Sequence, residues 1–297
     1  MDGVLVLHKP SGITSHDAVL RVRRMIGYDR IGHTGTLDPL ATGVLVLCIG
    51  KATRIASYLE AGEKEYHAIL RLGVTTDTLD AEGNILETKS YIPPDDNHIK
   101  GVFKSFLGTI HQQPPAYSAI KIAGVRSYKL AREGKAVSLS PRAVTIHALE
   151  VTAYNDPFIH FTVRCSKGVY IRSLCADIGT ALGMGAHLTR LIRTRSGHFS
   201  LEKALTFEML AELWAKKQIQ EALISLDDSL QEFPAISVEP AESVRILHGN
   251  SIPWHEPAMN PVQGLVRVHD SSKRLLALGR LEQGMLKPKL VLVEFTK

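Results

Sequence analysis

The chain has 297 residues, 44% hydrophobic and 22% charged, a globular composition that excludes a disordered or fibrous protein and, at about 150 residues per domain, predicts two domains. Three cysteines, Cys48, Cys165 and Cys175, without a CxxC spacing, point to a reducing compartment rather than a disulfide framework or structural zinc. The longest apolar run, residues 44–49, is too short to cross a bilayer, and no signal peptide is visible, so the expectation is a cytoplasmic protein whose net charge of +5 leans weakly toward a polyanionic partner.

In chain order, residues 4–7 predict a strand, ended by His8-Lys9-Pro10-Ser11-Gly12, where Pro and Gly enforce a turn. Thr14 and Ser15 offer N-cap hydroxyls to a helix that runs to Met25-Ile26 and stops at Gly27. Residues 43–50 read as a continuous apolar strand buried on both faces, and 51–61 as a short helix closed by Gly62. Alternation over 66–72 predicts a half-buried strand, as does Ile159, Phe161, Val163 and Cys165 against His160, Thr162 and Arg164. Residues 171–182 look helical. Beyond residues 226–234, Pro240, Pro253, Pro257, Pro261 and Pro288 punctuate short β-rich runs, which predict a small all-β module of barrel or sandwich type.

Charge is distributed in three basic patches. Lys121, Arg126, Lys129, Arg132 and Lys135 face only Glu133; Arg190, Arg193 and Arg195 have no nearby acid in sequence; Arg21, Arg23, Arg24 and Arg30 are opposed by Asp29. Each alone reads as a solvated face, and the three together point to RNA or DNA.

The densest chemistry is Gly32-His33-Thr34-Gly35-Thr36-Leu37-Asp38-Pro39-Leu40-Ala41-Thr42-Gly43. Its glycines, threonines and proline suit neither a regular helix nor a regular strand. Such a loop brings backbone N–H groups close to a ligand and presents Asp38 directly before a buried strand. It could equally be a tight turn in which Asp38 caps its own backbone. A phosphate-loop reading fails, because six residues separate Gly43 from Gly50 and Ala52 stands where a hydroxyl would hold magnesium. No dinucleotide fingerprint or metal-ligand cluster is present, so no cofactor is expected.

These twelve residues resemble the catalytic motif of the pseudouridine synthases, in particular the bacterial tRNA pseudouridine synthase B family. Lys9-Pro10-Ser11-Gly12-Ile13-Thr14-Ser15 resembles that family's first motif. Further likeness lies in Lys64-Glu65-Tyr66, Thr75 to Asp80 with Gly83, Gln113 to Lys121 with Gly124 and Tyr128, Cys165 to Leu174, and Leu188 to Phe199. It spans the first 200 residues, and the tail is similar to a PUA-type RNA-binding module. The resemblance implies an α+β protein: a catalytic domain over residues 1–232, with a mixed, mainly antiparallel sheet flanked by helices, and a small all-β PUA-like domain over 233–297. It implies isomerisation of uridine to pseudouridine at position 55 in the T-loop of tRNA. The implied partner is the tRNA T-arm, with no membrane, no protein partner and a monomeric enzyme.

Making pseudouridine breaks the bond from N1 to the ribose C1′, turns the base and rejoins it through C5. Nothing is oxidised or transferred to another molecule, so neither a redox cofactor nor ATP is required. The reaction needs a nucleophile or base beside the glycosidic bond, and a carboxylate can serve. The resemblance assigns that role to Asp38, leaving attack at C1′, addition to C6 and removal of a ribose proton open. Burial alone would protonate the carboxylate; the resemblance supplies Arg172 as the cation that keeps it ionised, where residue type alone reads a helix-start arginine. It places Tyr66 in the catalytic group and has Tyr66 and Tyr170 bracket the uracil, replacing the stacking lost on flipping. The Tyr170 hydroxyl could move the C5 proton, Leu191 would form an apolar wall, and Asp80 would be a substrate contact or a turn residue. His33 reads as a base or a scaffold residue, and the resemblance adds a third role, filling the stack that the nucleotide vacates. Lys121, Arg126, Lys129, Arg132 and Arg193 would contact the RNA backbone. Two departures stand out: Leu191-Ile192-Arg193 where relatives often carry two adjacent arginines, and Val169 in place of a frequent threonine. Two other classes compete, a catalytically silent RNA-folding protein and a carboxylate-dependent nucleosidase, the latter disfavoured by the lack of an obvious second acid near Asp38.

Overall fold

A computed structural model describes residues 1–118, 120–122, 124–135, 139–254 and 264–293. Pro257, Pro261 and the side chains of Tyr128 and Arg132 lie outside the described residues. The strand Gly3–Lys9 pairs antiparallel with Thr42–Ile49, Val6 opposite Val46. Thr42–Ile49 meets Ala186–Ser196 through a short parallel pairing, Ile192 with Thr42 and Arg193 with Gly43. Antiparallel pairing then continues through Lys64–Leu72, Phe158–Cys165, Arg142–Asn155 and Gly108–Gln112. The expected mixed, mainly antiparallel sheet is therefore present.

Two-sided burial explains the unbroken apolar run at 44–49. Leu5, Leu7, Leu45 and Leu47 pack against Ala18, Val19, Val22 and Ile26 of the helix Ser15–Ile26. Val4, Val6, Val44 and Val46 point the other way, into a cluster with Phe199, Leu230 and Phe233 and with Leu265, Leu278 and Leu292 of the C-terminal module. A fully buried Leu or Val contributes about 1.5–3 kcal/mol, so both faces are strongly specified. The helix begins in a capping box, the Thr14 hydroxyl accepting from the Asp17 N–H and the Asp17 carboxylate from the Thr14 N–H, each at 3.0 Å. Gly27 ends it in the left-handed conformation, φ 61°, donating to Arg23 O at 2.9 Å.

Three expectations need correction. Residues 31–34 are a strand, paired antiparallel with Thr42–Ile49, so the irregular stretch is shorter than expected and His33 sits on a strand. Cross-strand partners from Leu47 and Cys48 outweigh the glycine at 32. Residues 50–60 form a tight 3-10 turn, Gly50–Ile55, before the α-helix Ala56–Glu60, with the Thr53 hydroxyl donating back to Gly50 O at 2.7 Å. Finally, the C-terminal module is not all-β. Its five-stranded sheet, in the order Ala235–Ser237, Leu265–His269, Leu275–Glu282, Met285–Val291 and Ile252–Pro253, carries the helix Pro240–Leu247. Pro240 starts that helix rather than interrupting a strand, because the missing N–H of proline costs nothing in a first turn. No helix among the described residues is long and apolar enough to cross a membrane.

Candidate active site

The hairpin of Ile31–Thr34 and Thr42–Ile49 projects the loop 35–41, and Asp38 stands at its middle. The segment from Lys9 to Ser15 grips this loop from outside. Gly12 N–H donates to Pro39 O at 2.9 Å and the Ser11 hydroxyl to Leu40 O at 3.1 Å. The Ser15 hydroxyl donates to Leu37 O at 3.0 Å and accepts from Leu37 N–H at 2.8 Å. Lys9 is fully buried, its ammonium donating to Pro10 O at 2.9 Å, Ile13 O at 2.8 Å and Pro39 O at 3.3 Å. Burial lowers its pKa to about 8, against the opposing pull of Asp38 and Glu82.

Arg172, the second residue of the helix Ile171–Ala181, ties three segments together. Its Nε lies 2.9 Å from Asp38 Oδ2 and its Nη2 donates to Asp38 Oδ1 at 3.0 Å. Nη2 also donates to Tyr117 O at 2.9 Å and Nη1 to Thr78 O at 3.0 Å. Nη1 further lies 3.6 Å from Asp80 Oδ2. The guanidinium is 5% exposed while the Asp38 carboxylate keeps 32%, so the pair opens outward through its acid. Burial pushes the Asp38 carboxyl up, Arg172 draws it down and Asp80 pushes it up again, leaving it above the ordinary aspartate value. Asp80 is buried in its own turn, accepting from the Thr78 hydroxyl at 2.5 Å and from Glu82 N–H at 3.1 Å. A second acid therefore does stand near Asp38, contrary to the sequence expectation; the strand bridge between Asp80 and Leu188 carries it there from 42 positions away.

Register sets the floor of the site. Arg193 lies opposite Tyr66 and Leu191 opposite Ala68, so these four side chains share one face. Leu191 is buried on that face. The Tyr66 hydroxyl sits against the Arg193 guanidinium, and burial raises the phenol above its ordinary value, so it is neutral at pH 7. Tyr170 directly precedes the Arg172 helix, and Gln112 clamps its peptide, accepting from Tyr170 N–H at 2.8 Å and donating to its carbonyl at 3.1 Å. Burial raises the Tyr170 phenol as well, and Asp38 and Arg172 both act on it. The His33 Nδ1 is buried without a hydrogen-bond partner among the described residues, and burial together with Arg193 lowers the imidazole pKa, so the ring is neutral at pH 7.

The basic patches resolve unequally. Arg193 cannot touch an RNA backbone in this structure. It is 1% exposed, its Nε donating to Val44 O at 2.7 Å and Nη2 to Gly35 O at 3.0 Å. Strand alternation turns it inward beside Tyr66, and Gly43 lets the two strands close up at this pair: a Cβ there would lie 2.2 Å from the backbone carbonyl oxygen of Arg193. Arg195 has an acid after all, Glu65 at 3.3 Å. In the third patch Arg23 donates to Ile31 O at 2.6 Å, Arg30 to the Thr53 hydroxyl at 3.0 Å, and Arg21 lies 4.1 Å from the centre of the Phe207 ring. By contrast, Lys121, Arg126 and Lys129 are exposed on the hairpin of Lys121–Ile122 and Val125–Arg126 and on the helix Ser127–Arg132; Lys135 pairs with Glu133 at 2.7 Å. The Arg132 side chain lies outside the described residues.

Sequence reasoning missed the roles of Ser15, Gln112 and the Tyr117 carbonyl. Each acts through backbone contacts with residues distant in sequence, 22 positions for Ser15 and 58 for Gln112, and such contacts leave no local pattern. Among the described residues no group of three or more His, Cys, Asp or Glu side chains could hold a metal ion.

Comparison with known proteins agrees over the whole length. The family model described as "TruB family pseudouridylate synthase (N terminal domain)" matches residues 23–171, that for the tRNA pseudouridylate synthase B C-terminal domain matches 172–233, and that for "Pseudouridine synthase II TruB, C-terminal" matches 234–292. The chain is 42% identical over 296 residues to the tRNA pseudouridine synthase B of Burkholderia pseudomallei (strain 668), covering 99% of this chain and 97% of that protein. It is 41% identical over 298 residues to the protein of the same name from Thermobifida fusca (strain YX), with 98% of each covered. Among solved structures, a Cbf5-Nop10-Gar1 complex contains a chain with a TM-score of 0.75 and 28% identity, covering 98% of this chain and 85% of that one. A chain in an H/ACA RNP bound to a substrate RNA containing 2′-deoxyuridine gives a TM-score of 0.76 at 26% identity, with the same coverage.

Proposed function

This chain belongs to the TruB family of pseudouridylate synthases, an isomerase that converts uridine to pseudouridine in tRNA, and from that premise we propose that its target is the T-loop uridine at position 55, with Asp38 as the catalytic carboxylate. The observation that carries the reading is the pair of contacts from Arg172 to the two Asp38 oxygens, 2.9 and 3.0 Å, at the open edge of an otherwise enclosed site. A carboxylate whose pKa burial raises and a neighbouring guanidinium draws down is, in its ionised form, a weakly solvated base or nucleophile.

The target base is inside a folded RNA and must be swung out before its glycosidic bond can be reached. The flipped uracil lies between Tyr66 and Tyr170, over Leu191, and aromatic faces restore part of the lost stacking. Asp38 then serves attack at C1′, addition to C6 or removal of a ribose proton equally well. In each, the N1–C1′ bond breaks, the base turns, a C5–C1′ bond forms, and the proton lost from C5 is matched by one taken up at N1; the neutral Tyr170 hydroxyl relays it. His33, neutral and with a ring nitrogen that finds no hydrogen-bond partner among the described residues, takes the position left in the RNA stack. Lys121, Arg126 and Lys129 hold the T-arm backbone. Residues 1–232 form the catalytic domain and 233–297 an RNA-binding domain, and the enzyme works as a monomer without a protein partner.

The test is incubation with an unmodified tRNA transcript, followed by pseudouridine mapping at nucleotide resolution. Pseudouridine at the T-loop uridine alone, lost in Asp38→Asn while tRNA affinity stays within about 3-fold, is the expected result. Pseudouridine elsewhere, free uracil, or an active Asp38→Asn enzyme would overturn it.

A further inference from the structure

The catalytic loop is held from outside, and one side chain in the holding segment uses both of its hydrogen-bonding faces for that purpose. Ser15 is 1% exposed and is the first residue of the helix Ser15–Ile26, yet the capping role belongs to Thr14. Its hydroxyl is spent on Leu37, accepting from the N–H at 2.8 Å and donating to the carbonyl at 3.0 Å. Leu37 is itself 3% exposed, so water cannot replace either bond. Leu37 immediately precedes Asp38. On the far side, Ala41 N–H donates to Asp38 O at 3.1 Å and Gly12 N–H to Pro39 O at 2.9 Å.

A capped helix buried along one face is among the stiffest elements available, and the loop 35–41 carries no secondary structure of its own. The Ser15 hydroxyl therefore transmits the position of the helix to the peptide unit from which Asp38 departs. We propose that Ser15 is a positioning residue: its reciprocal hydrogen bonds with Leu37 aim the Asp38 carboxylate so that it meets Arg172 and the reacting nucleoside in register. This rests on the reading of Asp38 as the catalytic carboxylate. Ser15 acts only through Leu37, so its effect falls on the chemical step rather than on RNA capture.

The experiment compares the unaltered enzyme with Ser15→Ala, Ser15→Thr and Asp38→Asn, using single-turnover rates on tRNA across pH, tRNA affinity by filter binding, and thermal melting. A misplacement of about 1 Å can cost on the order of 100-fold in rate. Ser15→Ala is expected to slow the single-turnover step ~10- to 100-fold with tRNA affinity changed less than ~3-fold. Its acidic limb moves to higher pH, because a carboxylate that slips from Arg172 holds its proton more tightly. Ser15→Thr, which keeps the hydroxyl, recovers most of the rate. If Ser15→Ala cannot be purified folded, Ser15→Cys, close in volume but a weak donor and acceptor, carries the same expectation and the same refutation. A folded Ser15→Ala enzyme within about 2-fold of the unaltered rate overturns the proposal. So does a slow Ser15→Ala enzyme with an unmoved acidic limb that Ser15→Thr does not relieve. If Asp38→Asn remains active, the assignment of Asp38 fails; if Asp38→Asn is inactive while Ser15→Ala is unimpaired, only the role of Ser15 fails.

Discussion

Arg172 meets Asp38 edge-on, its Nε and Nη2 lying 2.9 and 3.0 Å from different oxygens of the same carboxylate. A planar guanidinium can do this while its remaining donor reaches Thr78 O; an ammonium cannot. Arg172→Lys should therefore lower the single-turnover rate by about 100-fold or more. The pH profile fixes the sign of the electrostatic effect. With Asp38 as the proposed catalytic carboxylate, activity should fade as pH falls through a carboxyl value that burial has raised and Arg172 has partly restored. Weakening the cation removes the restoring pull, so the acidic limb of Arg172→Lys moves to higher pH. An unmoved limb would show that the two residues are not coupled in solution.

RNA affinity should separate the surface cations from the buried one. Replacing Lys121, Arg126 or Lys129 with alanine removes a charge that is exposed, and each loss should reduce the slope of log affinity against log salt by about 1 where a phosphate contact is lost. Arg193→Gln should leave that slope unchanged. It should instead lower the melting temperature, because the carbonyls of Val44 and Gly35 lose buried donors at about 1–3 kcal/mol each. Filter binding over a salt series and thermal melting distinguish the two outcomes.

At the base of the C-terminal module Asp227 accepts from Arg267 at 2.8 Å and from His269 at 2.9 Å. Burial works against ionisation of Asp227, but the hydrogen bonds and charges of His269 and Arg267 outweigh it, and its carboxyl lies below the ordinary value of 3.8. A carboxylate so depressed adds stability that is complete above its unfolded value and disappears as pH falls through its folded one. Asp227→Asn should unfold at lower urea than the unaltered protein at about pH 7, and the difference should shrink toward about pH 3. Limited proteolysis near residues 226–234 should quicken in the variant.

His33 offers a spectroscopic check. Burial and Arg193 both disfavour its imidazolium, so its titration, followed by NMR of the ring protons, should have a midpoint below 6.5. Arg193→Gln should move that midpoint upward, toward the ordinary value, since the largest charge acting against the imidazolium is then gone. A midpoint at or above 6.5 would contradict the neutral ring placed here.

Much of the sheet was legible because its strands carry period-two or continuous apolar signals, as in residues 44–49 and 66–72, and because the Thr14 cap and the Gly27 stop are local chemistry. The helix Pro240–Leu247 escaped notice because proline marks a helix start as readily as a break in a strand. Asp38 stood out through its loop composition, but Arg172 was tied to it only by family resemblance; nothing in the residues between 38 and 172 encodes the contact. Arg193 shows the limit most plainly. Formal charge places an arginine in water, whereas its register opposite Tyr66 and the carbonyls of Val44 and Gly35 hold it inside. Asp80 reads from sequence as a substrate contact or a turn residue, but its nearness to Asp38 depends on a bridge to Leu188 that only the folded sheet makes.

Three leucines of the C-terminal module, Leu265, Leu278 and Leu292, share one apolar cluster with Val4, Val6, Val44 and Val46. The tail is thus a roof as well as an appendage. Shearing the protein at residue 233 would strip shelter from a row of valines, and the fragment would clump with its own kind rather than survive as a smaller enzyme.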